Sequence, residues 1–433
     1  MKVNLNDLGR RQFMADAASK FLGVGLLPMS ASSLLGASNQ SRFTPNRPKA
    51  AKNVIFLNMT GGMTHLDTFD PKEAKDVMGK TEPIATNVDG IRLGHYFEKL
   101  AGHADKLAII NSMHTTQGAH AQGQYVLQRS YAPRGTIVHP TLGSWVLRLS
   151  GKRNSTIPGY VQIGDRGNKS SSGFFGPTYS AVPIGDPDQG IADINLPSGV
   201  SEQEFQERLD LAASVNKTFS DTYDLDAVKE YENLYDDAVR LMRAEDLKAF
   251  DITQEPESVR KEYGESKFGR ACLLARRLIE HDVRFVSVKK GGWDMHYDCF
   301  GNLEEKVPDL DQSFSALLTD LDRRGLLEET VVMLGTEFGR TPVIRTEPSK
   351  NNGRDHFPRA YSCVLAGGGI KGGQKYGSTD KKGMYVESNE VTPPMLNATV
   401  AYALGLPLDR TIHSPSKRPF EVSDGAKAIT ALF

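Results

Sequence analysis

Histidines and carboxylates gather behind short apolar runs in this chain, at spacings that suit metal ligation and acid–base work. Trp293-Asp294-Met295-His296 sets an Asp and a His one residue apart, directly after Val283–Val288 and the stop Lys289-Lys290-Gly291-Gly292. Thr60-Gly61-Gly62-Met63-Thr64-His65-Leu66-Asp67 follows Asn53–Met59, and Ser112-Met113-His114-Thr115 follows Lys106–Asn111. Thr336-Glu337-Phe338-Gly339-Arg340 follows Thr330–Gly335, and Arg354-Asp355-His356 stands just before the apolar run Tyr361–Ala366. His65, Asp67, Asp294, His296, Glu337 and His356 are the leading metal ligands, with His114, His120 and Asp355 as further candidates. A mixed imidazole and carboxylate set suits a divalent cation, Zn first and Mn or Fe next; Ca and Mg remain alternatives although they prefer oxygen alone. The forks of Arg340 and Arg354 match phosphate or sulfate oxygens.

Each of these groups also has a plainer reading. His65 and Asp67 can cap a helix after the first strand, and His114 can bond backbone at a strand end. Asp294 and His296 can form a structural ion pair, Glu337 can pair with Arg340, and Arg354-Asp355-His356 can be a surface turn. The argument for a site is the recurrence of one layout behind separate strands.

That layout needs elements which end together. The β-branched and aromatic runs read as buried strands, to which Gly159–Ile163 is added. Helical spacing covers Gly94–Ala101, Ala119–Arg129, Thr141–Leu149, Ser201–Asn216, Asp224–Arg243, Ser266–His281, Leu310–Arg324 and Pro393–Leu404. Strands alternating with helices predict an α/β fold, a doubly wound and mostly parallel sheet with helices on both faces. In such a sheet the loops at the carboxyl ends of the strands share one edge, where ligands bind. His120, Thr115 and Thr116 lie around the start of the helix after the second strand, and helix amino ends favour anions.

The chain has 433 residues, 39% of them hydrophobic, enough for a substantial core. Lys+Arg 52 against Asp+Glu 53 gives no basic field, so charge does not suggest nucleic acid as a partner. Cys272, Cys299 and Cys363 make no disulfide framework. Residues 1–40, with Arg10-Arg11 before a weakly apolar stretch, read as a twin-arginine-type signal segment, too short and polar to remain as a membrane span; an amphipathic amino-terminal helix is the alternative. This predicts a periplasmic or otherwise exported protein. Residues 41–52 read as a linker, and 53–433 as one domain carrying a Gly-, Ser- and Pro-rich loop insertion at about 164–197.

Gly61-Gly62, Gly291-Gly292-Trp293-Asp294-Met295-His296, Thr336-Glu337-Phe338-Gly339-Arg340-Thr341-Pro342 and Gly353-Arg354-Asp355-His356-Phe357, together with Arg10-Arg11, resemble the exported bacterial family called domain of unknown function fifteen-oh-one. Tyr263-Gly264, Phe268-Gly269 and Leu273–Glu280 belong to the same resemblance, which runs over most of residues 50–410. That family is similar to sulfatases and alkaline phosphatases in overall fold. The resemblance therefore implies a three-layer α/β/α architecture and a metal-dependent hydrolase of phosphate or sulfate esters acting on a small-molecule or glycan ester. It implies Thr115 or a water as nucleophile, His120 beside it, and Arg340 or Arg354 against developing charge. No Cys stands at the nucleophile position, which excludes a formylglycine mechanism by residue type. Phe338 stands where many superfamily members carry a His ligand, which leaves one metal, or a noncatalytic exported binding or assembly protein, with its own partner, that reuses the fold.

Overall fold

A computed structural model describes residues 50–164, 171–192, 194, 196, 199–222, 236–348 and 351–433. The signal expected at residues 1–40 and nearly all of the linker lie outside the described residues.

Eight strands form the main sheet. They are β1 (Asn53–Met59), β2 (Leu107–Met113), β3 (Tyr160–Ile163), β4 (Val182–Ile184), β5 (Phe285–Lys290), β6 (Thr330–Gly335), β7 (Tyr361–Ala366) and β8 (Gln374–Tyr376). Their spatial order is β8-β2-β7-β6-β1-β5-β3-β4. Every pairing is parallel except those of β7, which runs against both β2 and β6. The fold is thus the doubly wound, mostly parallel α/β sheet that the alternation of runs predicts.

The central strands read as unbroken apolar runs because both faces are covered. In β1, Ile55, Leu57 and Met59 join one core, while Val54 and Phe56 join the other. The first core is closed by α4 (Lys267–Glu280) and α5 (Cys299–Arg323). The second is closed by α1 (His120–Arg129), α2 (Leu142–Ser150) and α6 (Pro393–Ala403), with α3 (Glu202–Thr222) lying outside both. Ser266 caps α4 by accepting the Gly269 N–H at 2.9 Å.

Several boundaries differ from the sequence reading. The helix expected at Leu310–Arg324 begins eleven residues earlier, at Cys299, and carries Pro308 inside it. An interior Pro costs about 3 kcal/mol, but Cys299, Phe300, Leu303 and Val307 are all buried ahead of it, and each large side chain contributes about 1.5–3 kcal/mol. Gly94–Ala101 is not a helix: Arg92–Gly94 pairs with Pro83–Ala85, and a 3₁₀ turn starts only at Leu100. The stretch read as a loop insertion, of which 165–170, 193, 195 and 197 lie outside the described residues, supplies β4 at the sheet edge. Of the helix expected at Asp224–Arg243, 236–242 is helical and 223–235 lies outside the described residues. No helix among the described residues is long and apolar enough to cross a membrane.

Beneath α4 and α5 lies a buried ionic knot. Asp320 accepts from Tyr263 at 3.0 Å and faces Arg276, Arg323 and Arg324 at 2.7–2.8 Å. Burial raises the Asp320 carboxyl, but its arginines outweigh that and hold it below its ordinary value. A depressed carboxylate stabilises the fold above its unfolded pKa, and the contribution is lost as pH falls through the folded one. Asp320→Asn is therefore expected to lower stability at neutral pH and to flatten its decline as pH falls through and below the ordinary carboxylate range. Denaturant unfolding across that range, with wild type and variant side by side, reads both effects.

Candidate metal centre

The carboxyl ends of β1, β2, β5 and β6 converge, and β7 adds the fifth loop for a different reason. Because β7 runs antiparallel, the residues before it, not after it, arrive at that edge. Gly339–Arg340, just past β6, pairs with His356–Phe357, just ahead of β7, so that His356 sits opposite Arg340. Gly61 turns with φ +120°; a Cβ there would lie 2.5 Å from the Asp294 N atom, so glycine lets the β1 and β5 loops touch. At Gly353 a Cβ would lie 1.9 Å from the His296 carbonyl, which seats the 351–356 loop on the same segment.

Asp294 is the hub. Its Oδ1 lies 3.1 Å from His296 Nε2 and 3.3 Å from His356 Nε2, and its Oδ2 lies 3.3 Å from His120 Nε2. Arg340 donates to the same Oδ1. Burial pushes the Asp294 carboxyl up, but the Arg340 guanidinium, aided by His120 and His296, holds it at about 2. His120, Asp294 and His356 offer three ligand atoms that all lie within 4.8 Å of one another.

Each imidazole is fixed from behind through Nδ1. His356 Nδ1 donates to the Gly118 carbonyl at 2.8 Å. His120 Nδ1 is 2.7 Å from Glu337 Oε1, and His296 Nδ1 is 2.7 Å from Asp355 Oδ1. A carbonyl or carboxylate can only accept, so the proton of a neutral ring belongs on Nδ1, and in that tautomer the Nε2 lone pair is on the side of Asp294. Burial lowers the His356 pKa, which keeps that ring neutral, whereas the Glu337 bond raises His120. His120 Nε2 is buried and makes no hydrogen bond, although Asp294 lies 3.3 Å away. Lone pairs directed at a carboxylate repel it unless a proton or a cation lies between them. The donor set, the fixed rings and the orphaned His120 nitrogen all fit a divalent cation.

Not every residue expected at this centre reaches it. Glu337 is fully engaged, accepting from Gly61 N and Gln124 Nε2 at 2.8 Å each as well as facing His120. Burial raises it, but His120 and these donors hold it below its usual range. It serves as the anchor of His120, stands outside the ligand group itself, and has its oxygens directed away from Arg340. Asp67 is wholly buried between Thr64, Thr81 and Arg354, with both oxygens taken at 2.6–3.1 Å. Arg354 has no exposure either; its other donors go to the carbonyls of Thr341, Pro342 and Val77. The Asp expected as a metal ligand and the Arg expected against developing charge form, in this geometry, a buried tie between two loops. His65 donates to the Gly383 carbonyl at 2.9 Å and is not among the grouped ligand atoms. The Thr115 hydroxyl accepts the Gln117 N–H at 3.3 Å and makes no bond with the cluster. His114 lies 3.6 Å from Glu390. Arg340 does reach the centre, although three of its donors hold the Gly61, Gly62 and Arg354 carbonyls.

Sequence reasoning named the carboxylates of Glu337 and Asp355 but missed Gln124 and the Gly118 carbonyl. Gln124 lies four residues after His120 on one helix face, a spacing that was available. The Gly118 carbonyl carries no side-chain signal at all. His120, read both as a further ligand candidate and as a neighbour of the nucleophile position, lies within the ligand group.

Residues 51–433 match the family model described as Protein of unknown function (DUF1501). No curated relative matches the sequence. Solved structures similar to the chain include the lipoteichoic acid synthase LtaP from Listeria monocytogenes, at 11% identity and a TM-score of 0.41, covering 91% of this chain and 79% of that one. PsFucS1 sulfatase from Pseudoalteromonas sp. is 11% identical with a TM-score of 0.36, covering 82% and 68%. A protein in the alkaline phosphatase superfamily from Vibrio parahaemolyticus is 10% identical with a TM-score of 0.34, covering 94% and 76%.

Proposed function

The chain belongs to the DUF1501 family, and from that premise and the geometry of the strand-end cluster we propose that it is a metal-dependent hydrolase of phosphate or sulfate esters, exported by the twin-arginine route. The observation that carries the reading is the set of anchored imidazoles whose Nε2 atoms face one carboxylate. His120, Asp294 and His356 hold one cation, for which Zn is the best fit to two imidazoles and a carboxylate. A cation bound there supplies Lewis-acid polarisation of an ester oxygen.

The protein's own groups do the rest. Glu337 and the Gly118 carbonyl keep His120 and His356 in the tautomer that leaves Nε2 free. Asp355 does the same for His296, whose Nε2 stays beside Asp294 at the mouth of the site. Arg340 places fixed positive charge next to the carboxylate and, through the Gly61 and Gly62 carbonyls, locks the loop that shapes the floor. The Thr115 hydroxyl is turned into its own loop, which favours water over a side chain as the attacking group.

The test is turnover of aryl phosphate and aryl sulfate by the purified chain, before and after chelation. Hydrolysis of one ester class is expected, lost on chelation by about 100-fold or more and restored by Zn²⁺ or Mn²⁺. Metal-loaded protein inert toward both classes contradicts the reading.

A further inference from the structure

Five large hydrophobic side chains stand exposed among the described residues, and two of them, Tyr297 and Val343, follow residues of the candidate centre. Tyr297, 55% exposed, directly follows His296; Val343 stands in the loop after Arg340; Tyr385, 51% exposed, lies two residues past the Gly383 that receives His65.

Tyr385 is held out on a rigid turn. The Asp380 carboxylate accepts from the N–H groups of Lys382, Met384 and Tyr385 at 2.8–3.0 Å. The Asp380 N–H in turn donates to the Tyr385 carbonyl at 2.9 Å. Arg359 lies over the Tyr385 ring, its guanidinium carbon 5.6 Å from the centroid, and donates to the Tyr385 hydroxyl at 3.0 Å. The three neighbouring site arginines are all matched to carboxylates: Arg340 to Asp294, Arg345 to Asp355 and Arg354 to Asp67. Arg359 is exposed and has no carboxylate partner among the described residues.

Its position is fixed relative to the centre. Arg359 follows His356 by three residues, a length of chain that spans at most about 11 Å. The intervening Pro358 carbonyl accepts the Thr115 N–H at 2.9 Å, which ties that turn to the loop whose Gly118 carbonyl holds His356.

We propose that Arg359 and Tyr385 form an outer subsite that binds an anionic sugar residue of the substrate, next to the residue whose ester lies at the centre. This rests on the ester-hydrolase reading and names its substrate class: an oligosaccharide carrying more than one sulfate or phosphate. The unmatched guanidinium takes the anionic substituent, in the fork geometry it offers to sulfate and phosphate oxygens alike. The exposed ring takes the apolar face of the sugar, which a free inorganic anion would leave uncovered.

Calorimetric titration of the full chain, stripped of metal by chelation, with sulfated lactose, unsulfated lactose and inorganic sulfate separates this proposal from the catalytic one, because no turnover is involved. Sulfated lactose is expected to bind at least 10-fold more tightly than either of the others. Arg359→Gln and Tyr385→Ala are each expected to weaken it about 10-fold, and Arg359→Lys to weaken it less. Equal affinity for inorganic sulfate and sulfated lactose overturns the proposal, and so does unchanged affinity in Arg359→Gln. Failure of the ester-hydrolase reading would show instead as absent turnover in metal-loaded protein, with the binding result unaffected.

Discussion

Replacing His356 by alanine is expected to remove tightly bound divalent cation from the protein and to lower ester hydrolysis by about 100-fold or more. The ring supplies one of three grouped ligand atoms; Glu337 is committed to His120, Gln124 and Gly61, and His296 Nε2, which also faces Asp294, stands outside that group. The informative partner is His65→Ala. The sequence treats both histidines as ligands, but His65 is bonded to Gly383 and lies outside the ligand group. Metal content by elemental analysis should therefore fall in His356→Ala and stay at the wild-type ratio in His65→Ala. Loss in both, with folding intact by circular dichroism, would return His65 to the metal shell.

The second large effect concerns stability. Asp67 and Arg354 are both completely buried and meet at 2.8 Å, with the remaining Arg354 donors spent on backbone carbonyls. Removing one member of a buried pair leaves an uncompensated charge, at a cost of about 3–5 kcal/mol. Asp67→Asn and Arg354→Met should each destabilise by that order in urea unfolding. The double variant should cost clearly less than the sum of the two, because neither charge is then left alone. If Arg354 instead acted on substrate, Arg354→Met would keep near-wild-type stability and lose turnover.

How far the sequence could be read follows from what each feature depends on. The strands β1, β6 and β7 fall at the residues expected because both faces of a doubly covered sheet demand apolar side chains, and that demand is written locally. α5 extends past Pro308 because tertiary burial outweighs a local breaker, which no window of sequence reveals. Asp294 and His356 could be picked out because Asp and His behind or ahead of a buried strand have few other uses. Asp67 and Arg354 look identical by that criterion and are separated only by three-dimensional facts: zero exposure and a full complement of partners. The direction of β7 was equally invisible, yet it decides why the residues before that strand, and not those after it, reach the edge. Glu337 shows the remaining gap. Its type is right for a ligand, but its oxygens are turned toward His120, Gln124 and Gly61, so it sets the tautomer of a ligand instead.

The most direct measurement is the metal content of the full chain purified without chelators, determined by elemental analysis against protein concentration. The account predicts about one equivalent of a divalent cation, Zn or Mn, per chain. Protein that holds no such cation, and takes none up when Zn²⁺ or Mn²⁺ is supplied in excess, would contradict it.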